Sequence, residues 1–434
     1  MTRNPQPATR NRLHYAWIVI AVTSLALLAG MGVRSNFGVY VKPLEAEFHT
    51  TREPVSRINF LALLVFAFLQ PGIGAIVDRF GARLVLAGSM LLAGLGTIGM
   101  AYAPSLFWVG CLYMVVGGIA SGGAAQTAAT SVATRWFAQS RGLAIGIAGA
   151  GASTGQLIFF PLATWLLLKT DWRFSYLLQG IFMAAVMFPI VAWLARSDPK
   201  DLGLQPYGAG DVPAAAASGP PAAAGGARER RVTLAEAAHN RDFWLLAMGF
   251  FVCGYTTTGV IQFHFIPYAI DHGFHQMQAA NALGLMGALN IVGTILSGRI
   301  CDKVGNRIPL SVVYFFRALA ILLLLVVRDG MMLTFWAVAF GLTYIASVPP
   351  TSGLTADLFG RLSVGQLFGW IYLSHQVGAA VGSWIGGVLY DMAGNYVAAF
   401  LSAAALAFVA SALSYAIRET PRRPIPVPAG VAGS

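Results

Sequence analysis

Apolar stretches of about twenty residues recur along the chain, separated by short segments that contain charged residues, Gly, Pro or Asn. Each stretch is long enough for a helix to cross a hydrocarbon layer of about 30 Å, whereas the strands of a transmembrane β-barrel would alternate polar and apolar positions. The pattern predicts an all-α polytopic membrane protein with twelve spanning helices. Their approximate limits are 15–40, 56–77, 84–103, 106–134, 142–168, 173–195, 242–269, 277–298, 308–327, 331–356, 364–390 and 395–417.

The composition agrees with this prediction. Hydrophobic residues make up 57% of the chain and charged residues only 10%, whereas about a quarter of the residues of a soluble domain are charged. A soluble globular enzyme is therefore excluded. The first apolar stretch follows Arg10 and Arg12 as in a signal peptide, but it continues to Tyr40 without a clear small-residue cleavage site, so it is expected to remain as the first helix.

The distribution of basic residues predicts the orientation. The formal net charge is +11, and if both termini lie on one side, the loops on that side carry 20 of the 28 Lys and Arg while the opposite loops carry six. By the positive-inside rule, both termini are expected in the cytoplasm. This asymmetry explains the basic charge without nucleic acid as a partner. The two remaining basic residues, Arg34 and Arg317, lie within spans.

A ten-residue motif occurs twice, after the second and after the eighth predicted span. Residues 74–83 recur at 298–307, with every matched position displaced by 224 residues, and this self-similarity indicates two copies of one unit. Each copy places a carboxylate and basic residues in a short loop, where they can face helix termini. The matched residues are Gly74, Asp78, Arg79, Gly81 and Arg83 in the first copy and Gly298, Asp302, Lys303, Gly305 and Arg307 in the second.

The chain divides at a segment rich in Pro, Ala and Gly. Residues 198–241 cannot bury a core and are predicted to form a flexible cytoplasmic linker. The linker separates two pseudo-symmetric six-helix bundles at 15–197 and 242–417. Cytoplasmic tails are predicted at 1–14 and 418–434.

With this repeated motif and these two halves, the sequence resembles the major facilitator superfamily of secondary transporters over all but the termini and the linker. The resemblance implies the major facilitator fold. It also implies that the motif latches the two bundles together on the cytoplasmic side when the protein opens outward. The ten motif residues would then be gating residues rather than substrate ligands.

Three shorter segments resemble the monocarboxylate transporter group and its bacterial relatives, which include oxalate/formate antiporters. They are residues 36–48, 135–146 and 171–173, and this resemblance implies a small organic anion as the substrate. The animal transporters place an acid and an Arg in span eight, where residues 277–297 contain neither. The Lys that the oxalate/formate antiporter places in span eleven is also absent, and His375 is available there instead.

Charges inside a span are costly and therefore indicate a pathway. All seventeen Asp and Glu lie in loops, in the linker or at span ends, so both interior charges are positive, which suits an anion. Arg34 lies between Gly30 and Gly38, where a guanidinium can hold a carboxylate through two hydrogen bonds. The alternative is an Arg that extends to the outer headgroups. For Arg317, in a helix expected at the periphery, a structural role in capping carbonyl groups is favoured over contact with substrate.

Other polar residues within the spans are candidates to line the same pathway. His264 and His375 could bind a carboxylate or carry a coupling proton, because the pKa of an imidazole lies near physiological pH. Hydrogen bonding between helices is the alternative for both. The three cysteines, Cys111, Cys253 and Cys301, have neither disulfide nor metal-ligand spacing, and no metal or cofactor is expected. The remaining candidate substrate ligands are Tyr40, Tyr113, Gln126, Tyr268, Asn290 and Tyr372.

These features lead us to expect secondary active transport of a small organic anion, preferably a monocarboxylate, by alternating access. Proton symport and anion exchange are equally open, because no buried carboxylate identifies the coupling ion. A carrier or exporter of a larger, mostly apolar metabolite or drug is the alternative within transport. A membrane enzyme or sensor is a remote alternative, since the sequence contains no HExxH, GxxxxGK[ST] or CxxC motif. The protein is expected to work as a monomer in the lipid bilayer.

Overall fold

The structure, a computed structural model, describes residues 14–138, 140–209, 232–360 and 363–419. Its regular secondary structure is helical, apart from one bridge between Phe137 and Tyr207. Almost all of the two predicted tails, and residues 210–231 of the predicted linker, lie outside the described residues.

The described residues form twelve long helices. Eleven of them are long and apolar enough to cross a membrane. The remaining one, Val364–Ala393, has 30 residues but carries Ser374, His375 and Gln376 near its middle, which lowers its hydropathy. The predicted all-helical fold is confirmed. The helices are α1 Tyr15–Phe48, α2 Arg52–Phe80, α3 Ala82–Ala101, α4 Leu106–Trp136, α5 Arg141–Lys169, α6 Trp172–Leu194, α7 Arg241–Asp271, α8 Gln276–Val304, α9 Arg307–Leu324, α10 Gly330–Phe359, α11 Val364–Ala393 and α12 Val397–Tyr415.

Short polar side chains start several of these helices. Asp171 accepts a hydrogen bond from the backbone N–H of Phe174 at 2.8 Å where α6 begins. Asp329 accepts hydrogen bonds from the N–H groups of Met331 and Met332, both at 2.9 Å, where α10 begins. These carboxylates satisfy donors that have no partner within the first turn of a helix. The helix starts therefore follow local signals in the sequence.

The first helix is longer than its apolar stretch predicts. It passes through a 3₁₀ turn at Asn36–Tyr40 and then continues to Phe48. The added turns are amphipathic, because Val41 and Leu44 are buried while Glu47 is exposed. The helix ends at His49, whose φ of 47° cannot continue a right-handed helix.

Five helices are irregular within their length, and one of them, α6, is wound as a π-helix at Phe182–Met187. α1 contains the 3₁₀ turn, and α7 is wound as a π-helix at Tyr255–Gln262. α4 breaks at residues 124–125 and α10 breaks at residues 344–347. Irregular backbone at membrane depth is tolerated only where it is covered by protein or lines a polar cavity. The irregular segments of α1, α4, α7 and α10 are therefore candidates to line a polar site.

Glycine permits close packing of equivalent helix pairs in the two halves. Gly151 of α5 lies against the carbonyl oxygen of Ser24 in α1, and Gly378 of α11 lies against the carbonyl oxygen of Phe251 in α7. A Cβ atom at either glycine would collide with the facing backbone. Between the halves, α2 packs against α11 and α5 packs against α8. The first six and the last six helices thus form two similar bundles that meet along two helix pairs.

Candidate functional site

A buried arginine ties the two halves together at one end of the molecule, which we call the Arg52 end. Only 3% of the Arg52 side chain is exposed. Its guanidinium donates to Glu45 Oε2 at 2.9 Å and, across the seam between the halves, to the Tyr396 hydroxyl at 2.6 Å. Nη1 also lies 3.4 Å from Asp271 Oδ2, and the Tyr390 ring lies 4.0 Å from Cζ. Three groups of the second half therefore surround a cation of the first half.

A carboxylate of the second half caps the first turn of α2. Asp391 Oδ1 accepts from the backbone N–H of Arg52 at 3.0 Å, and its Oδ2 accepts from the N–H of Glu53 at 2.8 Å. The Glu53 carboxylate in turn accepts from the Trp384 indole at 2.7 Å. A negative charge at a helix N-terminus is favourable because the free N–H groups point toward it. This cap adds a second tie between the halves at the Arg52 end.

The same network extends inward to His264. Its Nε2 lies 2.7 Å from the carbonyl oxygen of Ser383, which can only accept, so Nε2 carries the proton. Nδ1 then accepts from the Tyr396 hydroxyl at 3.1 Å. Burial raises the pKa of that hydroxyl above its ordinary value, so Tyr396 stays neutral and links His264 to Arg52. Both ring nitrogens of His264 are occupied, and its side chain is fully buried.

The halves separate toward the opposite end, which we call the motif end because both copies of the repeated motif lie there. Nearer the Arg52 end, faces of α5, α8 and α11 pack between the halves. Four glycines lie on the same faces of these helices, about two or three turns closer to the motif end. A Cβ atom at any of them would meet no described atom within 4 Å. They are Gly146 of α5, Gly298 of α8, and Gly365 and Gly369 of α11. The described arrangement is therefore closed at the Arg52 end and open at the motif end.

Arg34 lies near the centre, between the two halves. Its Cζ atom is 4.0 Å from the centroid of the Phe66 ring. Its charge acts on Tyr113 of its own half and on Tyr344 and Tyr372 of the other half. Among the ion pairs formed by the described residues, none includes Arg34. The site therefore consists of a guanidinium that lies over an aromatic ring and has tyrosine side chains around it.

The backbone that carries Arg34 is held firmly. The Tyr113 hydroxyl donates to the carbonyl oxygen of Arg34 at 3.0 Å, and its ring stacks on Phe37 with centroids 3.9 Å apart. Phe37 also stacks on Phe263 of the second half at 6.1 Å. Tyr113 thus positions Arg34 from behind, and the guanidinium keeps donors for another group.

Arg317 is enclosed in the second half, against the break of α10. Its side chain is fully buried. Nη2 donates to the carbonyl oxygen of Tyr344 at 3.0 Å and also to that of Thr343, while Nη1 donates to Cys253 Sγ at 3.0 Å. Ser347 Oγ lies 3.4 Å from Nη2. Arg317 therefore caps carbonyl groups that the break leaves free.

His375 and Tyr372 lie side by side on α11, near Arg317 and Arg34. Their rings are stacked, with centroids 5.6 Å apart and planes within 3° of parallel. His375 also interacts with the Cys253 sulfur, and its Nδ1 is buried without a hydrogen-bond partner among the described residues. The structure thus brings five sequence-predicted candidates together. They are Arg34, Tyr113, Arg317, Tyr372 and His375.

Two tyrosine candidates have local partners away from this centre. The Tyr40 hydroxyl bonds to Ser175 Oγ at 2.7 Å and accepts from Gln179 at 2.6 Å, inside the first half. The Tyr268 hydroxyl donates to the carbonyl oxygen of Leu324 at 2.7 Å, where α9 ends. Both hydroxyls stabilise contacts between helices of one half.

Asn290 lies on the seam between the halves. Its Nδ2 donates to Ser153 Oγ at 3.0 Å, from α8 to α5. Its Oδ1 accepts from the N–H of Ile345 at 3.1 Å, within the break of α10. Asn290 thus joins the seam to the irregular backbone. The side chain of Gln126, another candidate, lies outside what the structure describes.

Each copy of the repeated motif is bound inside its own half. Arg83 donates from Nε to the carbonyl oxygen of Ala192 at 2.8 Å, and its N–H donates to Ser197 Oγ at 3.2 Å. In the second copy, the carboxylate of Glu419 accepts from the N–H of Asn306 at 2.7 Å and from that of Arg307 at 3.0 Å. The segment that follows the last helix of each half therefore caps the third helix of that half.

The other motif residues are turn formers or exposed groups. Gly81 and Gly305 have φ of 82° and 87°, which favour glycine where the chain turns into the next helix. Arg79, Asp302 and Lys303 are exposed. The side chain of Asp78 and the burial of Gly74 lie outside the described part of the structure.

Two groups of residues escaped the sequence reasoning. The Arg52 network joins residues far apart in the chain, and only the excess of charge at the ends of spans could have signalled it. Cys253 gave no signal, because its partners come from three other helices. Within the described ranges, no three His, Cys, Asp or Glu side chains come together to hold a metal ion.

Comparison with known proteins agrees with the fold. The model of the Major Facilitator Superfamily matches residues 22–347. A solved bacterial homologue of the human lysosomal transporter Spinster superposes with a TM-score of 0.71 at 15% identity, covering 93% of this chain and 97% of that one. The chain belongs to the major facilitator superfamily, and it is a multi-pass membrane transporter rather than an enzyme.

Similar sequences give a finer relation within the superfamily. An uncharacterized MFS-type transporter of Bacillus subtilis is 25% identical, with 88% of this chain and 90% of that protein covered. Monocarboxylate transporter 13 of Rattus norvegicus is 27% identical, covering 92% and 87%. The oxalate:formate antiporter of Oxalobacter formigenes is 24% identical, covering 97% and 96%.

Proposed function

We propose that this transporter moves a small organic anion, a monocarboxylate, across the bacterial inner membrane by alternating access. Arg34 binds the carboxylate, and Tyr372 and Tyr344 contact it from the second half. Each half thus contributes to one central site, as rocking of the two bundles about that site requires.

The observation that carries this proposal is the position of Arg34. A guanidinium between the two halves, without a carboxylate among its described contacts, can donate two parallel hydrogen bonds to a carboxylate ligand. Phe66 covers one face of the guanidinium and Met31 Sδ lies 3.6 Å from Nη1, which leaves the other N–H donors for the ligand. Arg317 adds a second buried positive charge nearby. The names of the relatives, which include a monocarboxylate transporter and an oxalate:formate antiporter, support the same class of substrate.

The orientation follows from the basic loops. We propose that the motif end is cytoplasmic, together with both termini and the linker at 198–241 between bundles 15–197 and 242–417. The described arrangement is then open to the cytoplasm and sealed at the outer side by Arg52. When the site opens outward, the motif end must close, and Asp78, Arg79 and Arg83 would meet the second half.

Uptake into proteoliposomes tests the anion site. Purified protein is reconstituted, and counterflow of labelled formate, lactate, pyruvate and oxalate is measured for the wild type, Arg34→Gln, Arg34→Lys and the control Arg328→Gln, which changes an exposed loop arginine. A charged hydrogen bond contributes about 1.5–3 kcal/mol, so Arg34→Gln is expected to slow counterflow about tenfold to about a hundredfold. Arg34→Lys keeps the charge but loses the paired hydrogen-bond geometry, so its counterflow rate is expected to lie between those of the wild type and Arg34→Gln.

The opposite results are equally informative. Equal counterflow of one acid by the wild type and Arg34→Gln would remove Arg34 from the binding site. Failure of the wild type to exchange any of the four acids, in preparations whose unfolding temperature is normal, would overturn the substrate class. Transport of a larger apolar compound would then be the better proposal.

A further inference from the structure

Arg317 is a buried cation whose neighbours are nearly all neutral. Its hydrogen bonds go to two carbonyl oxygens, to Ser347 and to Cys253, and its Nε has no partner among the described residues. Among the described ion pairs none includes it. A buried charge without a counter-charge is strongly unfavourable. The surroundings of Arg317 therefore need a group that can become an anion.

Cys253 is the group that hydrogen bonds to Arg317 and can lose a proton in the ordinary pH range. Its sulfur lies 3.0 Å from Arg317 Nη1 and 3.1 Å from Ser347 Oγ, and only 1% of the residue is exposed. A thiolate here would accept hydrogen bonds from a guanidinium and a hydroxyl. The neutral thiol would leave Arg317 uncompensated.

His375 connects this thiol to the central site. It interacts with the same sulfur and stacks on Tyr372, one of the tyrosines on which the charge of Arg34 acts. Its Nδ1 is buried without a hydrogen-bond partner among the described residues, so the ring keeps one nitrogen available for proton exchange. Cys253, Arg317 and Ser347 come from α7, α9 and the break of α10, and His375 comes from α11, so the cluster lies at mid-membrane.

Other ionisable groups also face Cys253. They are Tyr314 and Arg317 from α9, Tyr344 from α10, and Tyr372 and His375 from α11. The tyrosines remain neutral at physiological pH unless strongly perturbed. Cys253 is therefore the group of this cluster whose ionisation can offset the charge of Arg317.

We propose that Cys253 carries the coupling proton of this transporter and that His375 passes it to and from the cavity. The proposal rests on the transport of an anion at Arg34. In the releasing step the Cys253 S–H bond breaks, its proton binds to the His375 imidazole, and the imidazolium then gives the proton to water. The thiolate that remains pairs with Arg317.

This arrangement couples the proton to the anion through charge. With Cys253 protonated, Arg34 and Arg317 present two positive charges to the site, whereas the thiolate cancels one of them. An anion is therefore bound more tightly when Cys253 carries its proton, and by linkage the anion favours protonation. Symport of one proton with one monocarboxylate is the expected result, in place of strict anion exchange.

Two transport modes in the same proteoliposomes test the coupling. Counterflow needs no net proton movement, whereas accumulation driven by an inward pH gradient does. Wild type, Cys253→Ser, Cys253→Asp and the control Cys111→Ser are compared with the labelled acid that the wild type exchanges. Cys253→Ser is expected to lower gradient-driven accumulation at least tenfold while counterflow remains measurable. Cys253→Asp supplies another ionisable group and is expected to restore accumulation at a shifted pH.

Gradient-driven accumulation by Cys253→Ser at the wild-type level would overturn the proposal, and so would equal losses in Cys253→Ser and Cys111→Ser.

If the wild type exchanged no acid in counterflow, the anion proposal itself would fall. The thiol can then be followed alone, by infrared spectroscopy of the S–H stretch in the Cys111→Ala, Cys301→Ala protein. Loss of that band between about pH 5 and about pH 9 supports an ionisable Cys253. An S–H band unchanged over this range would refute it.

Discussion

The two ends of the molecule use similar interactions for different purposes. At the Arg52 end, carboxylates and helix starts belong to different halves, so that Asp391 of α11 caps α2. At the motif end, the equivalent caps lie within one half, so that Glu419 caps α9 and Ser197 receives a hydrogen bond from α3. The first kind of contact stabilises one arrangement of the halves. The second kind stabilises each half in any arrangement.

This difference indicates where the barrier to switching lies. Opening the Arg52 end must separate Arg52 from Tyr396 and Asp271 and must uncap α2. Breaking a buried ionic contact is costly unless water or another group replaces it. Closing the motif end, by contrast, requires new contacts between faces that now carry open glycines. In the described state, contacts between the described residues of the two halves therefore hold the Arg52 end closed, while the motif end is open.

The largest effect is expected from Arg52→Ala. Loss of one partner of a buried charged network costs about 3–5 kcal/mol, so the balance of the two arrangements should shift toward an open Arg52 end by two or more orders of magnitude. Distances between spin labels at exposed Tyr102 and Met331, measured by pulsed electron paramagnetic resonance, report this opening. Arg57→Ala is the matched control, because Arg57 is exposed and pairs with Glu53 of its own helix, at 3.7 Å, and an ion pair of an exposed side chain contributes little.

A smaller shift is expected from Asp391→Asn. The substitution removes the charge that caps α2 but keeps the shape of the side chain, at a cost of about 1 kcal/mol. The ratio of the two populations in the same distance distribution is therefore expected to change several-fold. Asp171→Asn makes the same change in a cap within the first half. It should lower the unfolding temperature without changing the distances. Equal distance shifts from the two variants would contradict the distinction between the ends.

The smallest effect on the described state is expected from Gly369→Ala. Its Cβ meets no described atom within 4 Å, whereas that of Gly378 meets the Phe251 backbone. Gly369→Ala should therefore leave the unfolding temperature unchanged or slightly raised, and Gly378→Ala should lower stability by about 1–3 kcal/mol. If the motif end closes during transport, Gly369→Ala should still slow counterflow. Normal counterflow by this variant would place α11 away from the closing surface.

The sequence alone predicted the helices, the two halves and the positive centre. Lipid forces every long apolar stretch to satisfy its own backbone, so the number and type of spans follow from local composition. The motif repeated at Gly74 and Gly298 revealed the duplication. Arg34 stood out because a charge within an apolar stretch is rare and costly.

Only the tertiary structure decided which polar groups meet. His264 and His375 are equivalent as sequence signals, yet Tyr396 and Ser383 occupy both nitrogens of the first, while one nitrogen of the second is buried and has no partner among the described residues. Cys253 acquired its place beside Arg317 from the break in α10, which brings carbonyl groups and Ser347 to the same point. Periodicity is a property of one helix, whereas the partner of a side chain depends on where several helices bend and cross. The sequence therefore shows that Arg317 places a charge within a span, whereas its hydrogen bond to Cys253 depends on the packing of four helices.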